Sequence, residues 1–65
     1  MQIRIFGENT PSMNKSEAIN NAIKEFVAFY KANNLRKKDI VAFVPMIEEN
    51  NFGYIVNIWT LLERI

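Results

Sequence analysis

The sequence predicts an α+β domain in which a three-stranded mixed sheet carries a single helix on one face. Three observations lead to this fold: an alternating strand at the N-terminus, a helical repeat of apolar residues, and two apolar strands joined by a polar turn. A helix between two strands usually leaves those strands parallel, whereas the last two strands form an antiparallel hairpin. At 65 residues, the chain has room for one domain only, spanning residues 1–65.

The first strand is predicted from alternation and from the turn formers that follow it. Residues 2–6 alternate polar and apolar side chains, which is typical of a half-buried strand, with Ile3 and Ile5 on one side. Residues 7–12 are rich in turn-forming residue types, so the strand is expected to end there.

The helix is predicted over residues 15–33. Asn14 suits the N-cap, and Glu17 stands three residues later, which is the spacing of a capping box. Apolar residues then recur at the spacing of one helical face, at Ile19, Ala22, Ile23, Phe26, Val27 and Tyr30. Ala18 and Phe29 are expected at one margin of this stripe, with Phe29 extending past the core of a single chain. The asparagine pair after the helix can supply a left-handed C-cap.

The hairpin consists of two apolar strands, residues 40–47 and 54–62, joined by a polar turn at residues 48–53. The first of these strands has no polar side chain, so it is expected to be buried on both faces. Its even-numbered residues share one side and its odd-numbered residues share the other. Pro45 has no backbone donor, which puts that end of the strand at an edge, at a bulge or at its finish. Residues 63–65 either continue the second strand or turn helical.

An uncovered apolar face predicts assembly. One helix covers one face of a sheet, yet the hairpin is apolar on both faces. A chain this short has a marginal core, and without cysteine it has no disulfide to support it. We therefore expect a homo-oligomer joined sheet to sheet or edge to edge, or a different protein as the cover.

The residue types argue against catalysis and against a metal or cofactor. The chain has no histidine and no cysteine, so the commonest general base and the imidazole and thiolate metal ligands are missing. The acidic turn at residues 48–51 lacks the alternating acids and central glycine of a calcium loop. The sequence therefore predicts a protein that is not an enzyme and that holds no cofactor or metal.

Charge and hydropathy narrow the range of partners. Eight basic residues against seven acidic ones leave almost no net charge, whereas binding to double-stranded DNA usually needs a basic excess. The longest apolar run, at residues 40–47, is too short to span a membrane, and the N-terminus lacks the features of a signal peptide. A soluble cytoplasmic protein is expected, in the host cytoplasm if a phage encodes it.

Several residues are candidates for contact with a ligand. The basic residues 36–38 are either a solvated loop that complements the helix C-terminus or an anion contact. Tyr54 and Trp59 can stack a base, although such residues in an apolar hairpin also serve as core or interface. Asn57 is an amide in an apolar strand, and if buried it needs hydrogen-bond partners. It either pairs across a symmetric interface or lines a ligand pocket.

The chain starts at once on a strand, at residues 1–6, and continues with a single helix and a hairpin that has an acidic turn. This arrangement resembles a family of very small proteins from Bacillus and its phages, named for a sporulation-associated member. The resemblance spans the chain and is one of pattern. Some very small phage proteins of this kind resemble anti-defence factors. Among these are oligomeric sponges that sequester cyclic nucleotide signals between subunits without cleaving them. The resemblance therefore implies a viral protein that binds a nucleotide and does not cleave it.

The function expected from these observations is a non-enzymatic homo-oligomer that sequesters a cyclic nucleotide signal at its subunit interfaces. Cations would contact phosphate, an aromatic ring would stack a base, and an amide would read a base edge. The residues expected in these roles are Arg4, Arg36, Lys37 and Lys38 for phosphate, Tyr54 or Trp59 for stacking, and Asn57 for the base edge. The alternatives are an inhibitor or adaptor that docks a host protein on its apolar sheet face, and a sporulation-associated structural protein without a ligand.

Overall fold

A computed structural model, which describes residues 1–63, has the predicted order of one strand, one helix and two further strands. Strand β1 is Gln2–Gly7, helix α1 is Lys15–Ala32, strand β2 is Ile40–Asn50 and strand β3 is Gly53–Leu62. A short 3₁₀ turn at Lys37–Asp39 leads into β2. The predicted α+β class is confirmed. Strand β3 ends at Leu62, and the alternatives predicted for residues 64–65 lie outside the described residues.

Strand β3 is the central strand, because the order in the sheet is β1–β3–β2. It pairs antiparallel with both neighbours, so that Gln2 lies opposite Leu62 in one ladder and Ile47 lies opposite Val56 in the other. Strands β1 and β2 consequently run parallel to each other, as a helix crossover predicts, but β3 separates them. The prediction of a mixed sheet is therefore wrong, and the sheet is antiparallel. The crossover leaves a space between β1 and β2, and β3 occupies it.

The loop between β1 and α1 is fixed to the start of β3. The Ser12 backbone N–H donates to the Tyr54 carbonyl at 2.9 Å, and the Tyr54 N–H donates to the Ser12 carbonyl at 2.7 Å. The neighbouring Gly53 has φ +133°, and a Cβ there would lie 2.3 Å from the Ser12 carbonyl oxygen. The close approach of these two backbones therefore requires glycine at this position.

Both ends of helix α1 are capped as the sequence predicts. The Asn14 side chain accepts a hydrogen bond from the Glu17 backbone N–H at 3.1 Å, which satisfies one free donor of the first turn. The Asn14 N–H itself donates to the Ser12 hydroxyl at 3.2 Å and not to the Glu17 side chain, so the predicted capping box is formed in its N-cap half alone. At the other end Asn34 adopts φ +50°, and the Leu35 N–H donates to the Tyr30 carbonyl at 3.0 Å.

The core lies between α1 and the β1–β3 half of the sheet. Its buried side chains are Phe6, Ala18, Ala22, Val56 and Ile58. The small Ala22 lets the helix approach the sheet closely, and the Phe29 ring lies 5.3 Å from the Phe6 ring. The prediction that Phe29 extends past the core is therefore wrong. Ile23 and Val27 remain exposed instead, because the apolar stripe of the helix is wider than the surface that β1 and β3 offer.

Strand β2 is an edge strand, which agrees with the position of Pro45. Helix α1 packs on β1 and β3, so Phe43 and Ile47 on the helix side of β2 stay exposed. The Phe43 ring contacts the helix at Phe26, with the ring centroids 5.0 Å apart. The prediction that this strand is buried on both faces is therefore wrong for a single chain, because a sheet edge beyond the helix has no cover.

An irregularity near Val41 sets which side chains of β2 share a face. Ile40 lies opposite Leu62, whereas Ala42 lies opposite Leu61, so one extra residue is inserted between them. The predicted alternation therefore holds from Ala42 onward but not across Ile40, which points to the helix side with Leu62.

Candidate functional site

The candidate site is the sheet face that points away from helix α1, which we call the open face. Val56 and Ile58 are buried under the helix, so the alternating residues of β3 point to the other side. The pairing of the strands then assigns their neighbours to the same face. The members of the open face are Ile3, Ile5, Gly7, Ala42, Val44, Met46, Glu48, Ile55, Asn57, Trp59 and Leu61.

Large apolar side chains cover the middle of the open face. Five of them are between 44% and 63% exposed, namely Ile3, Ile5, Val44, Met46 and Trp59. Trp59 lies between Ile5 and Val44 in one row across the three strands. Taking about 200 Å² for a large apolar side chain, the exposed part amounts to roughly 500 Å², which is near the upper limit for a patch on a monomer.

The open face becomes polar toward the hairpin turn. Asn57 lies between Gly7 and Met46, one row from Trp59. A Cβ at Gly7 would come within 2.9 Å of the Asn57 Oδ1 atom, so the amide extends over the glycine. Glu48 follows in the next row, opposite Ile55. The eleven members of the open face include one acid and no base, so the centre of this face carries no charge.

Of the predicted ligand residues, the structure brings only Asn57 and Trp59 together on the open face. Tyr54 follows Gly53 at the start of β3 and lies on the helix side, where Ser12 pairs with it. Arg4 is also on the helix side, and its guanidinium carbon lies 4.7 Å from the centroid of the Phe29 ring. Such a contact between a cation and an aromatic face is favourable, and it occupies Arg4 within the chain.

The basic residues 36–38 lie at the opposite end of the molecule from the hairpin turn, where the chain enters β2. The Arg36 N–H donates to the Asp39 carboxylate at 2.8 Å, and the Asp39 N–H donates to the Arg36 carbonyl at 2.9 Å. This reciprocal pair closes the 3₁₀ turn and leaves Lys37 and Lys38 exposed. The hydrogen bonds between Arg36 and Asp39 thus explain the conformation of this loop. The predicted contact with phosphate stays a prediction.

Sequence reasoning missed one feature of the site and one feature of the core beneath the helix. The first is that Ile3 and Ile5 belong to the open face. The alternation of the first strand placed them on one side of the sheet, but it did not show which side the helix covers. The second is Thr60, which is 1% exposed on the helix side of β3. Its Oγ1 atom finds no hydrogen-bond partner within residues 1–63.

The described part of the chain, residues 1–63, contains no group of acidic side chains placed to hold a metal ion. Within the same residues, no helix combines the length and the apolar character needed to cross a membrane. Comparison with protein-family models, with curated proteins and with solved structures finds no match for this chain.

Proposed function

We propose that this chain is a non-enzymatic binding protein whose working form is a homodimer joined through the open face. The observation that carries the proposal is the row pattern of that face, in which Trp59 is flanked by Ile5 and Val44 and all three side chains are exposed. A contiguous apolar patch rimmed by polar residues is typical of an interaction surface.

A second copy of the chain is the partner that this surface fits best. The centre of the open face is uncharged, so it offers no charge pattern that selects a different partner. Two copies stacked face to face would remove roughly 1,000 Å² of apolar side-chain surface from water, which reaches the lower limit for a specific interface. The polar rim at Asn57 and Glu48 adds to that area.

Pro45 favours stacking of faces over pairing of edges. The two-residue turn makes Asn50 and Gly53 the hydrogen-bonded closing pair of the hairpin, and such pairs alternate along the ladder. The backbone groups of Phe43, Pro45 and Ile47 therefore point outward from the edge of β2. Because Pro45 has no N–H, the outward row of donors is interrupted in the middle, which disfavours a continuous ladder with another chain.

The oligomeric state in solution tests this proposal. Sedimentation velocity and native mass spectrometry of the purified protein at concentrations from about 1 to 100 μM should show a dimer that dissociates on dilution. A monomer throughout this range would contradict the proposal and leave the open face for a different protein.

Capture of a cyclic nucleotide between the two subunits is a second candidate function, favoured by the exposed Trp59 indole next to the Asn57 amide. Aromatic rings stack any base, and an amide donates and accepts hydrogen bonds at base edges. In this setting the protein would act as the anti-defence sponge that the family resemblance implies. Glu48 at the rim opposes phosphate there, and the predicted phosphate residues Lys37 and Lys38 lie at the other end of the molecule, so this candidate stands second to the homodimer.

Native mass spectrometry with a mixture of cyclic di- and trinucleotides tests the second candidate. A dimer that gains discrete nucleotide masses supports it, and the Trp59→Leu variant should keep the dimer and lose the ligand, because leucine retains apolar area but offers no ring. A dimer that gains no nucleotide mass would exclude these nucleotides and leave the homodimer proposal standing.

A further inference from the structure

We infer that Asn57 fixes the orientation in which two open faces stack, so that the β3 strands of the two copies run in the same direction. This inference rests on the proposed homodimer. It starts from the one amide on an otherwise apolar part of the face, in the row next to Trp59. Because Gly7 lies beside Asn57 and has no side chain, the amide is accessible from the side of a stacked partner.

Two orientations bring the apolar rows of two copies into contact. If the two-fold axis runs along β3, each β3 residue faces its own counterpart, and the amides of the two Asn57 residues meet. If the axis crosses β3 at Trp59, the central and largest apolar residue of the face, the strands run in opposite directions. Asn57 then faces Leu61 of the other copy, because both lie two residues from Trp59 along the strand.

Hydrogen bonding separates these two orientations. An asparagine amide has donors and acceptors, so two copies of Asn57 satisfy each other across the axis. An amide buried against leucine loses its bonds to water without gaining others. For each buried amide, this penalty lowers the population of the dimer orientation about tenfold or more. The orientation with β3 strands in opposite directions incurs it twice, once for each copy of Asn57. A single buried asparagine is known to set register and orientation in this way in coiled coils.

The hairpin tip reports the orientation without disturbing the interface. Asn51 lies in the turn beyond β2, and the chain has no cysteine, so Asn51→Cys gives one unique attachment point for a spin label. At about 3.3 Å per residue, the tip lies roughly 20 Å along the sheet from the level of Trp59. Strands in the same direction put the two labels about 20 Å apart, and strands in opposite directions put them about 45 Å apart.

Pulsed dipolar spectroscopy on the labelled Asn51→Cys protein should give one short distance. Adding Asn57→Leu removes the preference, so the long distance should appear beside the short one while the dimer persists. The matched control is Asn20→Leu, which makes the same change on the exposed surface of α1 and should keep the single short distance.

Three outcomes would overturn the inference. A dimer with only the long distance contradicts the orientation, and an unchanged short distance with Asn57→Leu contradicts the role of the amide. An altered distance with Asn20→Leu shows that the effect is not specific to the face. A labelled protein that is monomeric by native mass spectrometry contradicts the homodimer itself, so the two failures are distinguishable.

Discussion

Replacing Trp59 by arginine gives the sharpest test of the open face as an interface. Trp59 is 44% exposed in the single chain, which is about 110 Å² for a side chain of tryptophan size. A dimer buries this area twice, so about 220 Å² at roughly 25 cal/mol per Å² corresponds to about 5 kcal/mol. Because 1.4 kcal/mol corresponds to a tenfold change in an equilibrium constant, the variant should raise the dissociation constant of the dimer by between three and four powers of ten. Two facing arginines would add charge repulsion and desolvation.

The fold of one chain should tolerate this change. The aliphatic part of an arginine can lie along Ile5 and Val44, with its guanidinium in water. The matched control is Phe52→Arg, because Phe52 is 76% exposed at the hairpin turn, outside the open face. Both variants add the same charge at an exposed aromatic position, and circular dichroism verifies that each remains folded.

Sedimentation velocity over the same concentration range measures the effect. Trp59→Arg should be monomeric at 100 μM, a concentration at which the original protein and Phe52→Arg are expected to be dimeric. If the Trp59→Arg protein dimerises as strongly as the original protein, the open face is not the interface. If the two variants dissociate equally, added charge explains the loss and the assignment to this face fails.

Three further predictions concern stability and are measured by chemical denaturation at fixed protein concentration. Thr60→Val should stabilise the fold by about 1 kcal/mol, because it removes a buried hydroxyl that has no hydrogen-bond partner among residues 1–63, whereas Thr60→Ser should destabilise it; a loss of stability with valine would contradict this expectation. Gly53→Ala should cost about 2 kcal/mol or more, because a Cβ meets the Ser12 carbonyl oxygen, and a neutral result would show that this loop shifts easily. Asn14→Ala should cost about 1 kcal/mol by freeing the Glu17 N–H, while Asn14→Asp should retain stability.

Local structure followed from residue spacing, because its causes are local. The N-cap at Asn14, the left-handed Asn34 and the edge position of Pro45 each depend on the conformational preference of one residue. The alternation of β3 likewise separated Val56 from Trp59, although it did not say which of the two lay under the helix.

Features that depend on distant pairing were not predictable in the same way. The insertion of β3 between β1 and β2, and the irregularity near Val41, are set by which backbone groups find each other in space. The exposure of Phe43 follows from where the helix lies on the sheet. The apolar stripe of α1 is too wide to predict which strands the helix covers. The sequence identified Asn57 and Trp59 as candidate site residues. It could not show that the candidate cations, Arg4 and residues 36–38, lie outside the open face.

The central position of β3 has a consequence for the order in which the sheet forms. The strand that pairs with both others is the last of the three described strands in chain order, and β1 and β2 are not neighbours in the sheet. Gln2 pairs with Leu62, so one ladder joins segments far apart in the chain. The β2–β3 hairpin closes through a short turn, whereas β1 has to find β3 across most of the described chain. Because contacts between distant segments form slowly, the addition of β1 to the hairpin is expected to be the late step in folding of the sheet.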